Sequence, residues 1–466
     1  MLGTPAPSPG TIFVQIASYR DPQLIPTLLD LINQARHPGR LRIVVCWQHA
    51  ADETLGQFGR HGFGGYHRER SGERIVQHLA YRGARVELID VPHLMSQGAC
   101  WARNLLQQRY DGERYTLQLD SHHRFIEAWD TLAVEMLESL RDESAKPVLT
   151  AYLPKYDPAD PSIQDTGEPQ IMTFFRFSVE GVVMFRSVRL PDWQRTRPVR
   201  ARFYSGHFTF ADGHFAATVQ HDPDYFFLGE EISIAARAFT HGYDLYHPHR
   251  LIAWHEYTRR HRVKIWDDHT DEAKARGEIS EHWSERNDRA YRRNRALLGV
   301  DGTTAEPGQF GRYGLGTARS LADYEAYAGI SFAWRGIQRA TLHHELPVPD
   351  APRLSEAEWK ASLLRANDVR VCLHRGLFDE YAATPGRCGT LSAAVSARVV
   401  VHDANGAILH ENAIDAEDLA RYRHNDWLDF YASFESALDE LPTRYVVELF
   451  DEAGDLLSRV GNKVSD

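Results

Sequence analysis

The sequence predicts an α/β protein with a mixed, mainly parallel sheet flanked by helices, followed by a C-terminal β-rich region. Three observations carry this. Apolar, β-branched runs alternate with helical apolar spacing up to about residue 153. Polar clusters stand directly at the carboxyl ends of two of those runs. Beyond "ELPVPDAPRLS", 345–355, the pattern changes to strand pairs around glycine turns.

The elements follow in order. "TIFVQIA", 11–17, reads as a strand bounded by "SYRDP". Pro22 suits a helix start, and 23–36 has helical spacing despite Pro26 near its beginning. "LRIVVCW", 41–47, and "ARVELIDV", 84–91, are strands, 97–110 is a helix, and 115–119 is a fourth strand. This β-α-β-β-α-β order implies a mainly parallel sheet covered on both faces. Such sheets bind ligands at the carboxyl ends of their strands, where "SYRD" and "DSHH" both stand. A helix over 127–143 and a strand over 147–153 come next, then a Pro/Asp/Gly-rich loop over 154–169 that suits a substrate lid. Short strands fill 170–215; 227–248 reads as turn, helix and strand, with Gly242 ending the helix. Residues 260–298 are mostly helical and charged. Asn405-Gly406 and Gly454 mark two hairpins. The expected division is 1–345, with a core over 11–300 and a helical extension over 300–345, and a small sandwich-like domain over 355–466.

The 466 residues are 43% hydrophobic and 25% charged, an ordinary globular composition. A net charge of -11 argues against a nucleic-acid binder, and "RNDRAYRRNR", 286–295, reads as a solvated helix face. No window approaches a membrane span, and the Pro-rich start has no apolar leader core. Four cysteines without a C-x-x-C pair suggest free thiols and a cytoplasmic location. There is no Walker A sequence, G-x-G-x-x-G or G-x-S-x-G. "HEYTRRH", 255–261, has Arg259 where a zinc-protease motif needs its second histidine.

The constellation that remains is "YTLQLDSHHRF". Residues i and i+2 of an extended or turning chain project to one side, so Asp120 and His122 can reach one ion with Ser121 turned away. On the same alternation His123 points elsewhere. Carboxylate plus imidazole suits Mn²⁺ or a similar borderline metal better than Ca²⁺. The plain alternative is a surface turn with an Asp-His hydrogen bond. Upstream, Arg103 lies on the preceding helix, placed to hold a phosphate or to orient Asp120.

An Ala-Arg-Asn helix followed by an apolar strand ending in D-x-H resembles GT-A glycosyltransferases. "TIFVQIASYRDPQLIPTL", "YTLQLDSHHRF", "HFTFADGHF" and "FFLGEEISIAARAFTHGYDLYHP" are similar, in that order, to blocks of the cytoplasmic polypeptide N-acetylglucosaminyltransferases that modify hydroxyproline. They span roughly 11–300; D-x-H is also shared with the mucin-type N-acetylgalactosaminyltransferases. The resemblance implies a GT-A domain and metal-dependent transfer from a UDP-sugar, UDP-GlcNAc first, to a hydroxyl on a protein or glycan. It implies Mn²⁺ (or Mg²⁺) held by Asp120, His122 and a third histidine. His255, ending "LIAWH", is assigned, with His247 and His249 as competitors. Ser18, Tyr19 and Arg20 would contact uridine and phosphate, with Arg103 and Ser121 beside them. His207 and Asp212-Gly213 would form part of the donor wall. Glu231 would face the acceptor and Glu230 the sugar; the plain reading of this pair is an acidic first helical turn. If configuration is retained, the front-face mechanism proposed for related families needs no dedicated base. The C-terminal region lies outside the resemblance. Two rivals stand beside this reading: a metal-dependent hydrolase using the same Asp/His cluster, and a carbohydrate-binding protein without turnover.

Overall fold

A computed structural model describes residues 10–160, 167–191, 195–258, 262–349 and 354–464. The Pro-rich start, part of the 154–169 loop, Arg259 and part of the 345–355 linker lie outside these described residues.

The strands and helices that build the site come first. They are β1 (Ile12–Tyr19), α1 (Leu24–Gln34), β2 (Leu41–His49), α2 (Leu55–Arg60), β3 (Gly64–Ser71) and β4 (Arg74–Tyr81). Then come β5 (Ala84–Pro92), α3 (Ala99–Gln107), β6 (Tyr115–Asp120), β7 (His123–Phe125), α4 (Trp129–Glu138) and β8 (Pro147–Thr150). Next are β9 (Gln170–Phe177), β10 (Val183–Arg189), β11 (Val199–Arg200), β12 (Phe208–Asp212) and α5 (Phe215–Thr218). α6 (Glu230–Thr240), β13 (Asp244–His247) and β14 (Ala253–His255) complete this set.

One ten-stranded sheet runs β11-β13-β8-β12-β6-β1-β2-β5-β4-β3. Its centre, β6-β1-β2-β5, is parallel, and helices cover it, so β1 and β2 are apolar nearly throughout. The order reverses at β1: β2 lies on one side and the later β6 on the other. That reversal opens a crevice at the carboxyl ends of β1 and β6.

The expected elements over 11–150 are all present, with differences. Pro26 lies in the first turn of α1, where no hydrogen bond is lost. α1 buries Leu24, Thr27, Leu28, Leu31 and Ile32, one helical face. β3 and β4 were not expected; they extend the sheet antiparallel, and β3 is polar and exposed on both faces, so alternation does not reveal it. β12 runs antiparallel to β6 and β8, a direction the sequence does not show. Gly242 follows α6 with φ +84° and donates to Phe239 O at 3.0 Å, closing the helix.

The Arg-rich run lies on the helix Trp283–Leu298, and four of its five arginines are paired. Arg286 and Arg289 pair with Glu281, Arg293 with Asp222 and Arg295 with Asp301. No helix among the described residues is long and apolar enough to cross a membrane.

The C-terminal region holds two further sheets. β15 (Ile330–Ser331), β16 (Gly336–Gln338), β17 (Leu363–His374), β18 (Ser396–His402) and β19 (Ile408–Ile414) are followed by β20 (Arg423–His424), β21 (Trp427–Ala437), β22 (Arg444–Phe450) and β23 (Leu456–Lys463). They order as β15-β16-β17-β21-β20 and β19-β18-β22-β23. Val371 and Phe430 of one sheet and Val399 and Val447 of the other share a core, a sandwich-like arrangement. Both expected hairpin turns are present, with Gly406 and Gly454 at positive φ. β15 and β16 precede the expected linker yet join the first of these sheets.

Phe208 and Phe210 are fully buried core residues, and Phe210 stacks on Tyr115 at 5.5 Å. Phe210→Ala is expected to cost about 3–5 kcal/mol through lost contacts and a residual cavity. The denaturant midpoint of the purified variant measures this; a loss below about 1 kcal/mol contradicts a close-packed position.

Candidate active site

The turn after β6 is fixed from below by α1. Thr27 Oγ1, fully buried, donates to Ser121 O at 2.9 Å and accepts from His123 N at 3.0 Å. Asp120 and His122 are thereby held at the sheet's carboxyl edge. β7 then pairs antiparallel with β14, placing His255 opposite His123. That short ribbon brings in a histidine from 133 positions further along the chain (255 − 122).

Asp120, His122 and His255 converge: each offers a ligand atom, all within 4.8 Å of one another. Asp120 Oδ2 lies 3.7 Å from His122 Nε2 and 3.5 Å from His255 Nε2. The remaining atoms of the group have other partners. Asp120 Oδ1 accepts from Arg103 Nη2 at 2.7 Å. His122 Nδ1 donates to Asp21 Oδ2 at 2.7 Å, which leaves the Nε2 lone pair facing Asp120. Ser121 Oγ donates to the same Asp21 oxygen at 2.7 Å. Neither ring nitrogen of His255, 5% exposed, has a hydrogen bond of good geometry. Arg262 Nη1 stands 2.8 Å from His122 Nε2 and 3.3 Å from Asp21.

Burial works to raise the Asp120 carboxyl, but Arg103, His255 and His122 hold it well below the usual carboxylate range. Burial likewise opposes His122, Arg262 and Ser121 at Asp21, which ends below its ordinary value. Burial pushes His207 down to about 3, and burial with His207 holds His255 well below an ordinary histidine. His207 and His255 are thereby held as neutral imidazoles, the form that binds cations.

His247 is placed elsewhere, with Nδ1 against Thr150 O at 2.7 Å. His123 does not point away from the cluster as alternation suggests; its ring lies 4.9 Å from that of His255 and 6.2 Å from that of His207. The turn after Asp120 breaks strict strand alternation. His207 stacks on His255 at 4.1 Å, and its Nε2 accepts from Leu153 N at 3.2 Å.

A cleft opens beside the cluster. Its lining includes Tyr19, Asp21, Gln48, Ser96, Gly98, Arg103, Asp120, Ser121 and His122, together with Phe226, Phe227 and 262–266. The amino end of α3 opens into it at Gly98 and Ala99, so the helix dipole favours an anion there.

Three expected donor contacts need correction. Ser18 is buried and lies off the cleft lining, because strand alternation turns it into the sheet. Arg20 pairs with Asp268 at 2.8 Å, neither with Asp21 nor with the cleft; Tyr19 O–H donates to the same Asp268 at 2.7 Å. Asp212 and Gly213 stand at the opposite edge of the sheet. β12 is antiparallel to β6 and aligns Asp212 with Tyr115, about 16 Å along the strand from Asp120 at ~3.3 Å per residue. Asp212 is engaged there by Arg114 and Arg141, and Gly213 is closed against Glu113 O.

The two glutamates part company. Glu230, 6% exposed, accepts from Arg103 Nη1 and from Cys100 Sγ, so both oxygens are taken. Glu231 accepts from Gly206 N at 2.8 Å and Tyr152 O–H at 2.7 Å, and burial pushes its carboxyl up to about 7 against those bonds. Asp21, Tyr152, Gly206 and Arg262 were not among the expected site residues. Asp21 was visible in "SYRDP", two residues past a strand end; the others carry no local signal.

Gly206 separates the two carboxylates. A Cβ there would lie 2.5 Å from Glu230 Oε1 and 2.9 Å from Arg103 Nη1. Gly206→Ala is expected to displace the Arg103 pair and weaken Mn²⁺ binding at least tenfold while the fold persists. Isothermal titration with Mn²⁺ tests it; unchanged affinity in a folded variant removes Gly206 from the argument.

A family model described as "Glycosyltransferase (GlcNAc)" matches residues 11–334. No curated protein matches in sequence. Among solved structures, the chain is similar to GalNAc-T7 with UDP, GalNAc and Mn²⁺: 13% identity, TM-score 0.43, covering 68% of this chain and 54% of that one. It is also similar to the mannosyltransferase PcManGT from Pyrobaculum calidifontis with GDP-Man and Mn²⁺, at 12% identity and TM-score 0.34, covering 56% of this chain and 61% of that one. For S. aureus TarS 1–349 with UDP the identity is 11% and the TM-score 0.32, covering 67% and 80%. The chain thus spans little more than half the length of the first two.

Proposed function

The chain belongs to the GlcNAc glycosyltransferase family, and from that premise we propose that it transfers a sugar from a UDP-sugar, UDP-GlcNAc first, to a hydroxyl acceptor on a protein or glycan. Hydroxyproline is the acceptor to test first. The observation that carries the proposal is the Asp120–His122–His255 group beside a cleft, in which neither ring nitrogen of His255 makes a hydrogen bond of good geometry and His122 Nε2 lies toward Asp120.

Asp120, His122 and His255 fit a divalent ion of the Mn²⁺ or Mg²⁺ class. Asp21 fixes the tautomer of His122, and Arg103 turns one oxygen of Asp120 toward the imidazoles, the supporting shell such ligands need. When bound, the ion supplies Lewis-acid stabilisation of the diphosphate leaving group. The remaining work falls to the chain. The amino end of α3 and Arg262 present positive potential where the diphosphate would lie. Arg262 stands against His122 and would turn from it to the diphosphate. Tyr19 and Phe226 offer faces for the base and ribose. Glu230 positions Arg103 rather than touching the sugar. Glu231, whose carboxyl burial pushes up to about 7, would take a hydrogen bond or proton from the acceptor hydroxyl in place of its bond from Tyr152.

A hydrolase reading has less support, because the cleft beside the cluster is larger than attacking water requires and carries an anion-favouring helix end.

Two outcomes test the proposal. A panel of UDP-sugars with Mn²⁺ is expected to raise the melting temperature and release UDP, since a ligand of the folded state adds stability. No shift with any UDP-sugar under any metal defeats it. His255→Ala is expected to weaken metal-dependent UDP binding at least tenfold.

The pH dependence follows from Glu231. Its folded value, about 7, lies above its ordinary one, so its contribution to stability is full below about pH 4.5. That contribution falls as pH rises through 7. Glu231→Gln is expected to remove this decline, so the variant gains on the wild type between pH 5 and 8, by at most about 3 kcal/mol at ~1.4 kcal/mol per unit. Parallel melting curves across that range contradict the assignment.

A further inference from the structure

We propose that Cys100, His221 and Glu230 form a second, fully buried cation site that takes a thiophilic divalent ion of the zinc class. The site stands apart from the Asp120 group and does not depend on the proposed transfer reaction.

The first support is the donor set. Cys100 Sγ, His221 Nδ1 and a Glu230 carboxylate oxygen lie within 4.8 Å of one another. Sulfur, imidazole nitrogen and carboxylate oxygen together are ligands that zinc prefers. Cys100 is fully buried and His221 is 1% exposed. Cys100 Sγ is 2.7 Å from Glu230 Oε2, and His221 Nδ1 is 3.6 Å from the same oxygen. Tetrahedral zinc separates its ligand atoms by about 3.3–3.7 Å, so the His221–Glu230 separation already fits and the Cys100–Glu230 pair would open by about 1 Å.

The second support is hydrogen-bond accounting at His221. Gln118 Nε2 donates to Gly206 O at 2.7 Å, so Gln118 Oε1 is the acceptor it turns toward His221. His221 Nε2 lies 2.8 Å from that oxygen and must carry the proton. Nδ1 is then a bare lone pair. It has no hydrogen-bond partner and faces a carboxylate. Flipping the ring would sacrifice the Gln118 bond. The backbone cannot adjust either, because Gln107 Oε1 accepts from His221 N and Asn104 Nδ2 donates to His221 O, each at 2.7 Å. A buried lone pair aimed at a carboxylate costs free energy unless an electrophile lies between them.

On binding, the S–H bond breaks, the proton leaves to solvent, and a sulfur–metal bond forms. Three protein ligands leave one position for water. The three ligands come from α3, the segment before α6 and the start of α6. The ion would therefore clamp those segments together, one residue contact removed from Asp120 through Arg103.

The test uses the full chain. Elemental analysis of protein purified without chelator is expected to give about one zinc per chain, retained in Asp120→Ala and lost in Cys100→Ser. Chelator-treated wild type is then titrated with Co²⁺ under reducing conditions. A thiolate-to-cobalt charge-transfer band is expected, unchanged by saturating Mn²⁺ with UDP, and His221→Ala is expected to weaken it at least tenfold. Folded wild type that holds no zinc and gives no such band overturns the proposal, as does a band that persists in Cys100→Ser. The wild-type titration decides the matter even if the variants fail to fold. Loss of Mn²⁺-dependent UDP binding with the cobalt band intact would count against the transferase reading alone.

Discussion

The site depends on one buried guanidinium. Arg103 is 3% exposed and reaches Asp120 with one nitrogen and Glu230 with another. Placing a charge there costs several kcal/mol of desolvation, and only two well-placed carboxylates offset it. The constraint propagates outward. Glu230 must begin α6 beside α3, and Gly206 must lack a side chain so that the pair can close. Cys100, Arg103, Asn104 and Gln107 fall on one face of α3, spaced i, i+3, i+4 and i+7, and all turn toward the 221–230 segment. Removing the guanidinium leaves the buried Glu230 and the partly exposed Asp120 uncompensated, both of them proposed metal ligands. The geometry of the proposed metal group and the packing of α3 on α6 are therefore one problem with one solution.

Much of this was legible in the residues because parallel-sheet physics writes strongly into sequence. Strands buried on both faces read as continuous apolar runs, and the polarity jump from Leu119 to Asp120 marks the ligand edge. What could not be read was direction. Nothing in "HFTFADGHF" says that its strand runs antiparallel, yet that direction sends His207 to the proposed metal group and Asp212 to the far edge. Polar edge strands were hidden for a related reason: β3 has no buried face to impose alternation. Tyr152 and Arg262 reach the site through loops, and a single residue in a loop carries no periodic signal.

The two buried clusters are neighbours with opposite acid–base character. His207 and His255 stack within 4.1 Å, and burial holds both neutral, as it does His123. A cation entering the Asp120 group meets a carboxylate already ionised and, at His255, a ring already bare. At Cys100, burial and the Glu230 charge push the thiol well above its ordinary value, so a cation there must expel a proton. Affinity at the second position therefore rises with pH. Arg103 touches both groups, so a cation drawing on Glu230 would weaken that pairing. The guanidinium would then lean toward Asp120 and sharpen the orientation of the oxygen facing His122 and His255. Filling the inner position would in this way stiffen the outer one, through a single side chain and without movement of the sheet.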